Sequence, residues 1–441
     1  MNRKIYRLII TFAILTFTLW GNIVLSANID PLLEKIDLSG FLRMRSWYMS
    51  SKVSVPGKFA PTDTYKQVNY QDMFFRNRLY LKLLPEIQIR TVFDISAKFG
   101  KSDFGMGSGS TNLITRDVYA VIRPFKYSEL SGGLKPFSLN GGYILAADAT
   151  GVQYDHAFFK KKVKINLGII QAFDDADDSF GDASDPPKYA DDNIFIVGTK
   201  LNLISDLTSE IYYVYENDEF TSGNSTSGDT RKSSLHWVGF HNKLVFSSFS
   251  VKFGGILNAG NVEIRQEDNS YKKTNIVSGL WEFDLGFKLM DININLVLEG
   301  ATGDPNNTVS GSSFQDIKAA HSFSLIAVDS TGGIALRGAG ESSWYGLYGT
   351  GIKLQYTLLD TVILKLDILH FGTLKEQTWS GEKSSWFGDE IDFKAQYKYK
   401  NMLTVFFTTG IFMPNDAYFA YANHSEGGVI LEIMLGAQIN Y

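Results

Sequence analysis

Residues 429–441 read V-I-L-E-I-M-L-G-A-Q-I-N-Y. Val429, Leu431, Ile433, Leu435, Ala437, Ile439 and Tyr441 share one face at period two. Ile430, Glu432, Met434, Gly436, Gln438 and Asn440 share the other. This is an antiparallel strand with one apolar side. Ending on an aromatic residue, it suits the closing strand of an outer-membrane barrel, with lipid outside and water inside. Taken alone, it fits a strand of a soluble sandwich equally well.

The pattern repeats upstream. Period-two segments fall at Asp37–Ser50, Met73–Leu84, Ile87–Phe99, Asn112–Pro124, Ser128–Pro136, Gly151–Phe159, Val163–Phe173, Asn193–Leu203 and Thr208–Asp218. They continue at Ser234–Phe246, Ser250–Asn258, Ile276–Met290, Ile292–Ala301, Tyr345–Leu358, Thr361–Phe371, Glu390–Lys400 and Met402–Phe412. With the closing segment the number is eighteen, or sixteen if Ser128–Pro136 and Gly151–Phe159 are not strands. The connections alternate in length: Ser51–Asp72 is long and Pro85-Glu86 short, and the rhythm continues to Asn401 (short) and Met413–Gly428 (long). Long outer loops and short periplasmic turns are the pattern of an outer-membrane barrel. The expectation is a transmembrane antiparallel β-barrel with both termini periplasmic. Thr302–Trp344 is too long for a plain loop, and either rises above the membrane or dips into the lumen.

Composition agrees. The 441 residues are 14% aromatic, with 40 glycines, 10 prolines and no cysteine. Mean hydropathy is -0.07, as expected of strands that alternate apolar and polar residues. Arg3, Lys4 and Arg7 precede the apolar run Leu8–Trp20 and then Leu25-Ser26-Ala27. That reads as a signal peptide over residues 1–27, leaving 28–441 as one barrel domain. Cleavage removes three basic residues, so 39 basic and 47 acidic residues remain, a net charge of -8. Nucleic acid is not an expected partner; outer-membrane lipid and the barrel-assembly machinery are. The absence of cysteine suits an oxidising compartment.

The parity of the charges tests the membrane reading, because a Lys or Arg facing lipid at mid-depth costs about 2–4 kcal/mol. In Glu390–Lys400, Glu390, Asp392, Lys394, Lys398 and Lys400 share one face, opposite Ile391, Phe393, Ala395, Tyr397 and Tyr399. Lys288, Lys353 and Lys365 obey the same rule in their strands. A face this charged needs water, so the interior is expected to be a wet lumen. The first three strands contribute Arg43, Arg45, Arg76, Arg78 and Arg90, with Asp94 and Lys98. Two readings stand side by side. One is an electropositive track for anions; the other is internal pairing of these arginines with Asp94, Glu390, Asp392 and Glu432.

Other features carry less. Asp174, Asp175, Asp177 and Asp178 open an acidic stretch that is either a solvated loop or a weak Ca²⁺ candidate,. Tyr212, Tyr213, Tyr215, Trp237, Trp281 and Trp344 are candidates for aromatic girdles, or for contacts to a sugar,. The histidines show no metal spacing and no G-x-S-x-G elbow occurs, so no enzyme activity, cofactor or metal is expected,.

The run G-D-E-I-D-F-K-A-Q-Y-K-Y-K-N-M-L-T-V-F-F-T-T-G-I-F-M-P-N-D-A-Y at 388–418 resembles the alginate-export family of outer-membrane porins. So do F-L-R-M-R at 41–45, F-R-N-R-L-Y-L at 75–81 and R-D-V-Y-A at 116–120. The resemblance implies an eighteen-strand barrel with a positively lined pore for an anionic polymer. Arg43, Arg45, Arg76, Arg78 and Arg90 would line it, with Glu390 and Asp392 as partners. Two departures favour a more general channel: Met413-Pro414-Asn415-Asp416 lacks the family's glycine, and the remaining lumen mixes signs. The expected function is passive diffusion of small hydrophilic, including anionic, solutes. The alternatives are a polysaccharide channel, such as one for alginate, and a plugged barrel acting as adhesin or surface receptor.

Overall fold

Alternation at period two becomes a single closed wall. The computed structural model describes residues 35–51, 66–101, 111–139, 144–173, 193–218, 231–265, 270–303, 346–379, 382–418 and 428–441. Its strands are β1 (Ile36–Ser51), β2 (Lys66–Leu84), β3 (Ile87–Lys101), β4 (Thr111–Ile122), β5 (Ser128–Leu139) and β6 (Leu145–Phe158). Next come β7 (Val163–Phe173), β8 (Asn193–Ile204), β9 (Leu207–Asp218), β10 (Arg231–Phe246), β11 (Phe249–Arg265) and β12 (Tyr271–Leu289). The last are β13 (Ile292–Ala301), β14 (Leu347–Leu358), β15 (Val362–Trp379), β16 (Glu382–Tyr399), β17 (Leu403–Pro414) and β18 (Ile430–Asn440). Each pairs antiparallel with its chain neighbours, and β1 pairs with β18, so the 18-stranded sheet has no free end. The two weak segments are β5 and β6, which settles eighteen over sixteen.

Apolar side chains cover the outside. Val277, Leu257 and Leu435 are 74%, 69% and 55% exposed, although they belong to well-paired strands. The odd-numbered residues of the closing strand face out and the even-numbered ones face in. At one end the turns are tight, and some residues take positive φ without being glycine: Leu359 (53°) and Asp360 (56°) together make the turn from β14 to β15. Two consecutive positive φ values match the right-handed twist of the flanking strands.

Closure rests on the last residue. Gly40 and Tyr441 exchange backbone hydrogen bonds of 3.1 and 3.2 Å across β1 and β18. The Tyr441 hydroxyl reaches over β1 to donate to the Asn77 side chain and the Arg76 carbonyl. Its ring stacks on Phe75 at 6.0 Å. A Cβ on Gly40 would overlap both the Arg76 carbonyl oxygen and the Tyr441 ring. Gly40→Val is therefore expected to break the seam and to abolish the heat-modifiable folded band on cold gels. Tyr441→Phe loses only the hydroxyl contacts, worth about 1 kcal/mol, and should lower the unfolding temperature slightly while leaving assembly intact.

Three expectations change. Ala259–Asn275 and Gly372–Asp389 are not plain loops: β11 runs to Arg265, and β15 and β16 pair as far as Trp379↔Glu382, with irregularities at Phe371/Gly372 and Gly372/Gln377. Beyond the lipid neither face has to be apolar, so the ladder continues after the alternation has ended. The β5–β6 connection is also short, with pairing up to Leu139↔Leu145. Residues 1–34, the acidic stretch with Asp174, Asp175, Asp177 and Asp178, and most of Thr302–Trp344 lie outside the described residues.

Nor is the interior wet throughout. Towards the long-connection end, inward residues form one apolar cluster, including Ile170, Ile194, Leu235, Trp237, Ile256, Phe371 and Phe412. The β5–β6 hairpin adds Phe137, Ile144 and Leu145. Sequence parity marks which side a residue faces, not whether water stands there.

Candidate functional site: the lumen wall

The cluster includes no residue of β1 to β4 among the described residues. That wall carries the arginines. Phe41, Arg43, Arg45 and Trp47 alternate inward along β1; on β2, Arg76, Phe74 and Asp72 sit on the rungs of Phe41, Arg43 and Arg45, and Arg78 and Tyr80 follow on the next two inward rungs. The aromatic faces hold the cations. Arg43 lies 5.2 Å from the Phe74 ring centre, and Arg76 lies 5.4 Å from Phe74 and 5.9 Å from Phe41. Arg78 is 5.9 Å from Phe41, and Arg45 is 5.3 Å from Trp47. Arg90 sits between Tyr80 at 5.3 Å and Tyr119 at 5.8 Å. Each such contact contributes about 0.5–2 kcal/mol, more as water is excluded, and it orients a guanidinium without neutralising it.

Ion pairs neutralise only part of the wall. Arg76 donates from Nε and Nη2 to the two oxygens of Asp94, at 2.7 and 2.6 Å. Arg45 donates to Asp72 at 3.0 Å from Nε and 2.6 Å from Nη2. Arg116 adds contacts to Asp148 (2.5 Å) and Asp94 (3.7 Å). Arg43 and Arg78 form no ion pair with any described residue, and Arg43 Nε is buried without an acceptor.

The proposed partners across the seam are placed elsewhere. Glu432 stands on the rung of Met49 and Gly410, whereas Arg45 faces Gly436 and Arg43 faces Gln438. Asp392 is across Gly410 on the same rung as Glu432, and Glu390 is one inward position further on, opposite Phe412. These three carboxylates are buried with contacts of their own, but none of the described ion pairs joins them to Arg43, Arg45, Arg76, Arg78 or Arg90. The stagger of β18 against β1 sets this separation.

The remaining site residues line β12 to β16. Lys353 faces Asp367 across β14 and β15, and Lys288 faces Asn293 near the tight turns. Lys365 lies directly opposite Lys394, and Asp367 directly opposite Asp392. Like charges opposite one another are unfavourable in a sheet; here the acidic pair lies one inward position from the lysine pair, so opposite signs meet along each strand. Lys98 pairs through its backbone with Asp72, and its side chain lies outside the description.

Sequence reasoning missed Asp72, Arg116, Asp117, Lys135 and Asp148. Asp72 shares the parity of Arg76 and could have been found by extending that strand by one residue. Arg116 is the extra residue of a bulge, since Phe93 pairs with Thr115 and Val92 with Asp117. A bulge resets the alternation. Of the girdle candidates, Tyr213, Tyr215 and Trp281 face out, but Tyr212 and Trp237 are buried inward. Trp344 lies outside the description.

No family model and no curated protein matches the sequence, so the alginate-export resemblance finds no support there. Solved structures do match. Pseudomonas aeruginosa OpdQ superposes with a TM-score of 0.55 at 12% identity, covering 92% of this chain and 99% of that one. The P. aeruginosa outer membrane protein OpdK gives 0.53 at 11% over the same shares. A second OpdK structure, with vanillate, gives 0.54 at 12%, again covering 92% and 99%. At this identity the likeness concerns the fold: a closed 18-stranded porin-type barrel.

Proposed function

We propose that the chain is an outer-membrane channel through which small hydrophilic solutes diffuse, organic anions foremost. The observation that carries the reading is the pair Arg43 and Arg78, two guanidiniums without a carboxylate on the wall that the apolar cluster leaves clear. The apolar outer band is the lipid partner, with Phe125, Tyr127 and Phe159 at the tight-turn end as interfacial anchors,. In this orientation the turns are periplasmic. One structural neighbour was solved with vanillate, an organic anion of the kind this wall would favour. A polyanion such as alginate fits less well, because Asp72, Asp94 and Asp148 interrupt the basic surface at short intervals.

Single-channel recording in a planar bilayer tests this. The expected result is a stable ohmic step whose reversal potential in a gradient of about 0.1 M salt favours the anion. The preference should fade near 1 M, where the screening length falls to about 3 Å. A barrel that inserts without conducting would overturn the reading and point to a plugged receptor or adhesin instead.

A further inference from the structure

We propose that the upper half of the β4–β5 seam is a lateral window in the barrel wall, latched by Arg116, through which a single-chain amphiphile with an anionic head reaches the lumen. The proposal rests on the membrane reading above. β4 pairs with β3 from Ile122 to Thr111, and β5 pairs with β6 from Ser128 to Leu139. Between β4 and β5 the described ladder runs only from Ile122↔Leu130 to Val118↔Leu134. Above that rung Asp117 and its predecessors face Lys135–Leu139 without pairing.

Two local features coincide with the split. Gly133 has φ +130° at the last rungs, where β5 runs so close to β4 that a Cβ would overlap the Val118 carbonyl oxygen. The β5–β6 tip then buries Phe137, Ile144 and Leu145 in the lumen cluster, which draws the upper part of β5 away from β4. On β4, the bulge turns Arg116 out of the alternation. Its Nε meets Asp148 of β6 at 2.5 Å, bypassing β5 altogether, and Asp94 of β3 at 3.7 Å.

Depth gives the split its meaning. The last β4–β5 rung is about five residues above the turn, or about 12 Å of height at ~3.3 Å per residue and ~40° tilt. The hydrocarbon band is about 25 Å tall, so the split begins near its middle. Unpaired backbone at that depth persists only where it borders water, and the lumen supplies that water. Exposed Leu113, opposite Ile95 on the outward face of β4, lies on the lipid side of the split, while Arg116 lies within it. A carboxylate head can take the place of Asp148 on the guanidinium while its chain remains against the apolar rim.

The absence of cysteine makes single-cysteine labelling clean. Bimane attached at Thr115→Cys, on the open edge, is compared with bimane at Phe93→Cys on the same rung of the fully paired β3, in liposomes of phosphatidylcholine. Spin-labelled phosphatidylcholine should quench both labels; failure at position 93 would refute the membrane reading itself. Iodide should quench at 115 severalfold more than at 93. Equal, low quenching at both, with the lipid quencher active at 93, would overturn the window. A doxyl-labelled fatty acid should quench at 115 at least threefold more than doxyl phosphatidylcholine at equal mole fraction. Arg116→Gln, checked for folding by heat-modifiability, should remove that excess. A fatty acid no better than phosphatidylcholine, or an excess unchanged in Arg116→Gln, would overturn the anionic-head assignment.

Discussion

Glutamate at Arg43 and Arg78 together is expected to reverse the ion preference of the channel. Neither guanidinium is tied to a carboxylate, so the exchange leaves no buried anion stranded. It changes the lumen charge by four units on the wall that borders the free path. A unit charge about 6 Å away contributes about 0.7 kcal/mol in water. Four such changes, discounted for salt, come to roughly 1–2 kcal/mol, or about a tenfold shift in the anion-to-cation permeability ratio, since 1.4 kcal/mol is a factor of ten. The reversal potential in a salt gradient reads this directly. Methionine at both positions, which keeps the aromatic packing and removes two charges, should give about half the shift. An unchanged reversal potential in the glutamate variant would show that ions do not pass this wall.

How far the sequence foretold this wall depends on which interaction set each position. Lipid sets the alternation, and lipid acts on every residue in turn; eighteen strands and the inward parity of Lys365, Asp367, Glu390 and Lys394 were therefore legible. So was the arginine face, because Arg43, Arg45, Arg76 and Arg78 share parity with Phe41, Trp47 and Tyr80. Register was not legible. Knowing that β18 closes on β1 does not reveal that Arg45 meets Gly436 rather than Glu432, because the stagger of a barrel is a property of the whole ring. Tyr212 and Tyr213 are adjacent and must face opposite ways, so they could not both be girdle residues. The bulge at Arg116 hid the residue on which the split seam turns, since one inserted residue inverts the pattern around it.

The same network yields the largest expected loss of stability. Asp94 is 2% exposed, and its two oxygens are held by Arg76 in a bidentate pair that straps β2 to β3. Arg76→Ala would leave that carboxylate buried with only Arg116, at 3.7 Å, for compensation. Removing one partner of a buried pair typically costs about 3–5 kcal/mol. Arg76 faces a hydrated lumen on one side, so the lower end, about 3 kcal/mol, is expected. Asp94→Asn should cost less, because the guanidinium it releases is still held by the rings of Phe41 and Phe74. Arg76→Ala with Asp94→Ala should recover more than half of the single loss, since neither charge then stands alone. Urea unfolding from lipid vesicles, followed by tryptophan fluorescence, measures all three. A cost below about 0.5 kcal/mol for Arg76→Ala would mean that water in the lumen already satisfies Asp94, and the pair would then serve to aim Arg76 rather than to hold the wall. The two outcomes differ for the channel as well. If the strap carries stability, substitutions at Asp94 should broaden conductance by loosening β2 against β3; if it only aims Arg76, they should alter selectivity at constant conductance.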